Sequence, residues 1–236
     1  MSQPVWASGF LLRAVPHGDA DLVTTWLTAE FGKVTAFARA ARGSKKRFAG
    51  ALSTLTLARL QLVPTAGEMW RLTTAEVEHS FVELGADLVA VAYAAYACEL
   101  AQEFTVAGHA EPEMFGDLLA VHQALAAHAL TPVGLRWYEL RALDLHGSLP
   151  ELEDLMAMAG AAAQPELGRD FEPWLVALLA ASTLEEAGRL PANSASVMRL
   201  RDVLATLISR VVNKPLQSVI FLQKMNAGLR RTRADN

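Results

Sequence analysis

The hydrophobic pattern of this chain changes period near residue 80, and that switch limits the folds open to it. Before it, apolar residues tend to alternate; after it, they recur at three- and four-residue spacing. The first stretch holds five strand candidates: Val5–Arg13, Asp21–Thr28, Val34–Arg39, Thr54–Val63 and Met69–Glu78. Turn-forming residues separate several of them, including Pro16-His17-Gly18-Asp19 and Pro64-Thr65-Ala66-Gly67. Beyond the switch, Phe81, Leu84, Leu88, Val91, Ala95 and Cys98 form one stripe of a long helix. Phe115, Leu118, Leu119, His122 and Leu125 form a second stripe. Pro132 suits the first turn of a third helix, and Gly147 suits its stop. Residues 156–170, rich in Ala, Gly and Pro, read as a loop. Phe171–Ala180 and Val197–Val212 read as helices, the second ending before Pro215, and Ser218–Met225 as a short last helix.

Five short strands bury little as a flat sheet but can close on themselves. The predicted fold is therefore α+β: a five-stranded OB-type barrel over residues 1–80, then an all-helical domain over residues 81–236. Charge divides at the same place. Residues 1–80 carry nine Lys/Arg against six Asp/Glu, a net of +3; residues 81–236 carry twelve against nineteen, a net of −7. A basic block beside an acidic one predicts two domains with different partners.

The strongest chemical signal lies between Lys33 and Arg47. Lys33, Arg39, Arg42, Lys45, Lys46 and Arg47 fall in fifteen residues with no acidic residue among them. Gly43-Ser44 in the middle predicts a flexible hairpin tip, and cations on such a tip can neutralise phosphates. The competing reading is a solvated hairpin that serves only solubility, on a helical adaptor that binds only protein. Trp26, Phe31, Phe37, Phe48 and Trp70 are candidate base-stacking residues, but a small barrel also needs large apolar side chains inside. Of these, Phe48, beside the basic tip, is the one expected to be exposed.

Catalytic and metal patterns are missing. The six histidines show no ligand spacing, and one cysteine, Cys98, cannot form an intrachain disulfide or a cysteine-rich zinc site. There is no Gly-x-Ser-x-Gly elbow, and Arg42-Gly43-Ser44-Lys45 lacks the glycine and lysine positions of a phosphate loop. Glu99 and Glu103, one turn apart, read as a solvated helix face rather than an acid–base pair. No signal peptide or membrane span is expected, which predicts a cytoplasmic protein without cofactor, metal or enzymatic activity.

Several segments in order resemble one family. They are Gly18-Asp-Ala-Asp-Leu-Val23, Thr28-Ala-Glu-Phe-Gly-Lys-Val34, Ala38-Arg-Ala-Ala-Arg-Gly43, Arg47-Phe-Ala-Gly-Ala-Leu52 and Trp70-Arg-Leu-Thr-Thr-Ala-Glu76. Leu135-Arg-Trp-Tyr-Glu-Leu140, with Leu143 and Gly147, and Lys214-Pro-Leu-Gln-Ser-Val-Ile-Phe-Leu222 extend the pattern. Together they resemble RecO, the bacterial recombination mediator. The resemblance implies a non-enzymatic protein that binds single- and double-stranded DNA and anneals complementary strands. It also implies work with RecR and single-stranded-DNA-binding protein to load recombinase in gap and double-strand-break repair. Many members carry a cysteine-pair zinc element where this chain has Met156-Ala-Met-Ala-Gly160, so zinc is not expected. The resemblance further implies a site for the acidic-hydrophobic C-terminal tail of single-stranded-DNA-binding protein. Arg136 and Leu140, four apart on one helix face, are the leading candidates; Arg199, Arg201 and Arg210 are alternative clamps.

Overall fold

A computed structural model describes residues 3–44, 46–53, 55–160 and 165–224. Five strands form a closed barrel: β1 (Val5–His17), β2 (Asp21–Thr28), β3 (Gly32–Ala38), β4 (Thr56–Val63) and β5 (Trp70–Ser80). Their order around the barrel is β1-β2-β3-β5-β4, closed by β4 against β1. The β3–β5 pairing is parallel and short, joining Ala36 to Trp70 and Phe37 to Arg71. The other pairings are antiparallel. This is the expected OB-type architecture.

Alternation explains the barrel. On β3, Gly32, Val34, Ala36 and Ala38 point inward and are buried, while Lys33, Thr35 and Phe37 point outward. Trp26, Leu11, Leu60, Leu62 and Leu72 fill the interior with small Ala side chains between them. The buried Trp26 indole N–H donates to Thr24 Oγ1 at 2.8 Å, and that hydroxyl donates to the Ala36 carbonyl at 3.0 Å. A register shift between Leu11 and Arg13 lets Leu11 face Trp26 inside while Arg13 pairs with Thr25 outside.

After a 3-10 turn at Val82–Ala86 come α1 (Leu88–Phe104) and α2 (Pro112–Ala126). The long stripe predicted from Phe81 to Cys98 is broken at Asp87. Its carboxylate caps α1 by accepting from the Val89 and Ala90 amides, which rotates the buried face onto Ala90, Ala94, Ala97, Ala101 and Phe104. Leu88 and Val89 are exposed instead. Both helices belong to the same compact unit as the barrel, residues 1–126, together with the segment starting at Gln217. Phe10 of β1 makes that junction, with ring centroids 6.3 Å from Phe81, 5.8 Å from Phe115 and 4.7 Å from His122.

Residues 127–216 form a second unit containing α3 (Pro132–Leu145), α4 (Leu152–Met158), α5 (Pro165–Ala180), α6 (Leu184–Gly188) and α7 (Ser194–Val212). Thr131 and Asn193 cap α3 and α7 with their side chains. The predicted loop over 156–170 is partly helical: 156–158 lie in α4 and 165–170 in α5, and 161–164 lie outside the described residues. Residues 217–224 are helical; Met225 and the basic Arg230-Arg231-Thr-Arg233 lie outside the described residues. No helix among the described residues is long and apolar enough to cross a membrane.

Candidate nucleic-acid interface

The basic stretch after β3 is not a hairpin. Its flanking strands β3 and β4 are not neighbours in the barrel, so residues 39–55 are a crossover. Three contacts anchor it on either side of Gly43-Ser44. The Ala40 amide, at a left-handed φ of 51°, donates to Asp21 Oδ1 at 2.6 Å. Arg42 donates from its amide to the Ala20 carbonyl and from Nη1 to the Asp19 carbonyl, both at 3.0 Å. The Ala75 amide of β5 donates to the Arg47 carbonyl at 2.9 Å.

Phe48 is the main correction at this site. It is 3% exposed and belongs to the barrel core with Ala41 and Ala51, so it cannot stack on a base. The crossover needs an apolar anchor because its own cations cannot enter the barrel. Arg47 lies over the Phe48 ring, 5.0 Å from its centroid, and its Nη2 donates to the Arg39 carbonyl at 2.7 Å. Arg39, Arg42 and Lys46 are exposed; Lys45 lies outside the described residues. Lys33 is drawn elsewhere. Its ammonium donates to the Gln102 carbonyl at 2.7 Å, in the last turn of α1, where the helix dipole favours a cation. The crossover therefore brings together Arg39, Arg42, Lys46 and Arg47, and no Asp or Glu occurs between Glu30 and Glu68.

The outer face of β1, β2 and β3 adjoins the crossover at the β1–β2 turn. Arg13, Val15 and His17 lie opposite Thr25, Val23 and Asp21, and Thr25 and Val23 lie opposite Thr35 and Phe37. Arg71 of β5 is in register with Phe37 on its other side. The His17 ring meets Phe37 edge-on, centroids 5.5 Å apart at 85°. Composition marks Phe37 as one of several stacking candidates, but gives no signal for Arg13, His17 or Arg71. Strand alternation could have placed Arg13 and His17 together; the nonlocal β3–β5 pairing that adds Arg71 has no local signal.

Among the other stacking candidates, Trp26 is core. Phe31 and Trp70, centroids 5.2 Å apart, line a groove of about 700 Å³ with Met69, Lys33, Glu30 and Glu68. Two carboxylates on its wall oppose phosphate.

In the second unit the structure corrects the peptide site. Arg136 and Leu140 are 6% and 2% exposed, so neither forms an accessible rim. Arg136 Nη2 pairs with Glu139 Oε1 at 2.7 Å within α3. A buried guanidinium requires such a partner, and the helical spacing of three supplies it. Of the alternatives, Arg201 pairs with the adjacent Asp202 at 2.8 Å. Arg199 and Arg210 line a separate groove of about 510 Å³ with Met158, Ala159, Asp202, Val203 and Thr206.

No group of three or more His, Cys, Asp or Glu among the described residues could hold a metal ion. Cys98 is buried, its sulfur 3.9 Å from His122 Nε2, and burial pushes its thiol up from 9.0 to about 12. Met158 and Ala159 stand in the stretch of the zinc element and cannot ligate it as thiolates, so the residues present do not fit that element. Glu99, read from the sequence as part of a solvated helix face, instead accepts from the Gln217 and Ser218 amides, each at 2.8 Å.

Two family models match in sequence order: recombination protein O N terminal over residues 1–81, and recombination protein O C terminal over residues 85–165. DNA repair protein RecO of Anaeromyxobacter sp. (strain K) is 43% identical over 155 residues, which are 65% of this chain and 61% of that protein's length. DNA repair protein RecO of Myxococcus xanthus (strain DK1622) is 33% identical over 232 residues, 91% of this chain and 95% of that protein. That of Desulforudis audaxviator (strain MP104C) is 30% identical over 240 residues, with 91% and 94% covered.

Proposed function

Since this chain belongs to the RecO family, we propose that it is a DNA-binding repair and recombination mediator rather than an enzyme. The observation that carries this reading is the anchored crossover, which presents Arg39, Arg42, Lys46 and Arg47 from one end of the barrel. Held cations bind phosphates at a smaller entropy cost than cations on a free loop. Phosphate contact is sequence-independent, so the crossover serves single- and double-stranded DNA alike. Bound strands brought together in this way are annealed, and the protein acts with RecR and single-stranded-DNA-binding protein to load recombinase. Residues 1–80 supply the DNA contact and the helical residues that follow supply protein contacts.

The groove of Arg199 and Arg210 supports the peptide part of this reading. An acidic tail ending in apolar side chains and a carboxylate needs apolar floor and a guanidinium at the rim; Met158 and Val203 provide the first and the two arginines the second, while the carboxylate of Asp202, also on the wall, is paired with Arg201. A labelled tail peptide should bind the wild type, and Arg199→Ala with Arg210→Ala should weaken it while sparing DNA binding. A protein that binds the peptide equally well without those arginines uses another surface.

The deciding experiment is oligonucleotide affinity across a range of salt. Arg39→Ala, Arg42→Ala and Lys46→Ala together should weaken binding to all sequences. They should also flatten the single-strand slope by about 2 log units per log unit of salt, at ~0.7 per phosphate contact. An unchanged slope would remove the crossover from the interface. No DNA binding by the wild type would leave a protein-only adaptor whose basic segment serves solubility.

A further inference from the structure

We infer that Phe37, met edge-on by His17 and paired across strands with Arg71, is a stacking platform for an unpaired base, and that it makes this protein favour single-stranded over duplex DNA. The inference rests on the DNA-binding reading above and gives it a strand preference.

Phe37 is the outward aromatic of β3 and is only partly buried. Its cross-strand neighbours are Val23 on one side and Arg71 on the other. His17 meets it edge-on and restricts the ring, so little rotamer freedom remains to be lost on binding. Val15, 38% exposed, extends the apolar surface along β1. Arg71 beside Phe37 is exposed, as is Arg13 in the neighbouring row, where Thr25 and Thr35 complete the face. This combination of aromatic ring, flanking guanidinium groups and hydroxyls is what a single strand offers partners for: one base face, its phosphates and its sugar. In a duplex, neighbouring pairs already cover both faces of each base, so the ring has nothing to stack on.

Asp21, in register with His17, accepts the Ala40 amide and thereby orients the crossover. The groove beside Phe31 and Trp70, which Thr35 also lines, carries Glu30 and Glu68, and the far end of β5 carries Glu76 and Glu78. A strand lying across Phe37 runs onto Arg39 and Arg42 past the β1–β2 turn to which Arg42 is tied, where the exposed Asp19 is the carboxylate it meets.

A purely structural role is also available to Phe37, because aromatic and β-branched residues paired across strands stabilise sheets. The substitutions are chosen to separate the two roles. Phe37→Leu keeps an apolar partner for Val23 and removes the ring; Phe37→Tyr keeps the ring. Affinity is measured by fluorescence anisotropy of the full chain with a labelled single-stranded oligonucleotide and with the duplex of the same sequence, at one salt concentration. Thermal melts of each variant are recorded alongside. Phe37→Leu should weaken single-strand binding about tenfold and leave duplex binding within about twofold. Phe37→Tyr should restore the single-strand value. Equal loss on both substrates, or no loss on the single strand, would overturn the inference while leaving the DNA-binding reading intact. Failure of the wild type to bind either substrate would overturn both.

Discussion

Phe48 sits inside the most basic stretch of the chain and yet belongs to the core. Its neighbours Lys46 and Arg47 point to solvent or along the crossover, while its ring joins Trp26 and Leu60 in the barrel cluster. Local composition favours exposure there, but the barrel has an end to close and the crossover supplies the only apolar side chain of that size between β3 and β4. Removing the ring leaves a cavity under an anchored loop. Phe48→Ala should therefore cost about 3–5 kcal/mol of stability, read as a lower denaturation midpoint in urea, and should disturb DNA binding only through the crossover's position. Arg136 shows the opposite case: a guanidinium that looks available in sequence is buried because Glu139, one turn on, balances its charge. Neither outcome is written in residue type. Both depend on which face of the element meets the core.

At the scale of elements, strands were more legible than helix faces. Alternation located all five strands, and β2 matches its expected bounds at Asp21–Thr28. The helix stripe over 81–98 failed at Asp87, because a side chain that caps two amides ends one helical register and starts another. The short α6 was not anticipated, since five residues carry too little periodicity to stand out. Glu99 shows how an element can be fixed from far away in sequence. Its carboxylate accepts from the Gln217 and Ser218 amides and the Ser218 hydroxyl, which caps residues 217–224 from α1. Glu99→Gln removes the charge and one of the two equivalent acceptors. Loss of about 1–2 kcal/mol of local stability is expected, seen as faster amide hydrogen exchange over residues 217–224 with α1 itself unchanged.

At the scale of the whole molecule, the buried polar contents set a pH limit. Burial holds the Cys98 thiol neutral up to about 12, whereas the unfolded chain releases that proton near 9.0. Below the unfolded value both states are protonated and the thiol costs nothing. As pH rises from 9.0 toward 12 the unfolded state alone ionises, so stability falls through that window. Cys98→Ala should remove this part of the alkaline loss; the check is the slope of unfolding free energy against pH for both proteins, and equal slopes would assign the loss to other groups. The same scale divides what could be read early from what could not. Sequence alone determined the α+β class, the switch from strand to helix near residue 80, the charge contrast between the two stretches and the family, because period, composition and motif order are properties of neighbouring residues. Tertiary structure decided that the basic stretch is an anchored crossover, that Phe48 faces inward and Phe37 outward, that Arg71 joins Phe37, and that Arg136 is buried. Those outcomes follow from closing a barrel through a short parallel β3–β5 pairing and from helices choosing a face. Both depend on contacts between residues far apart in the chain, which local pattern does not encode.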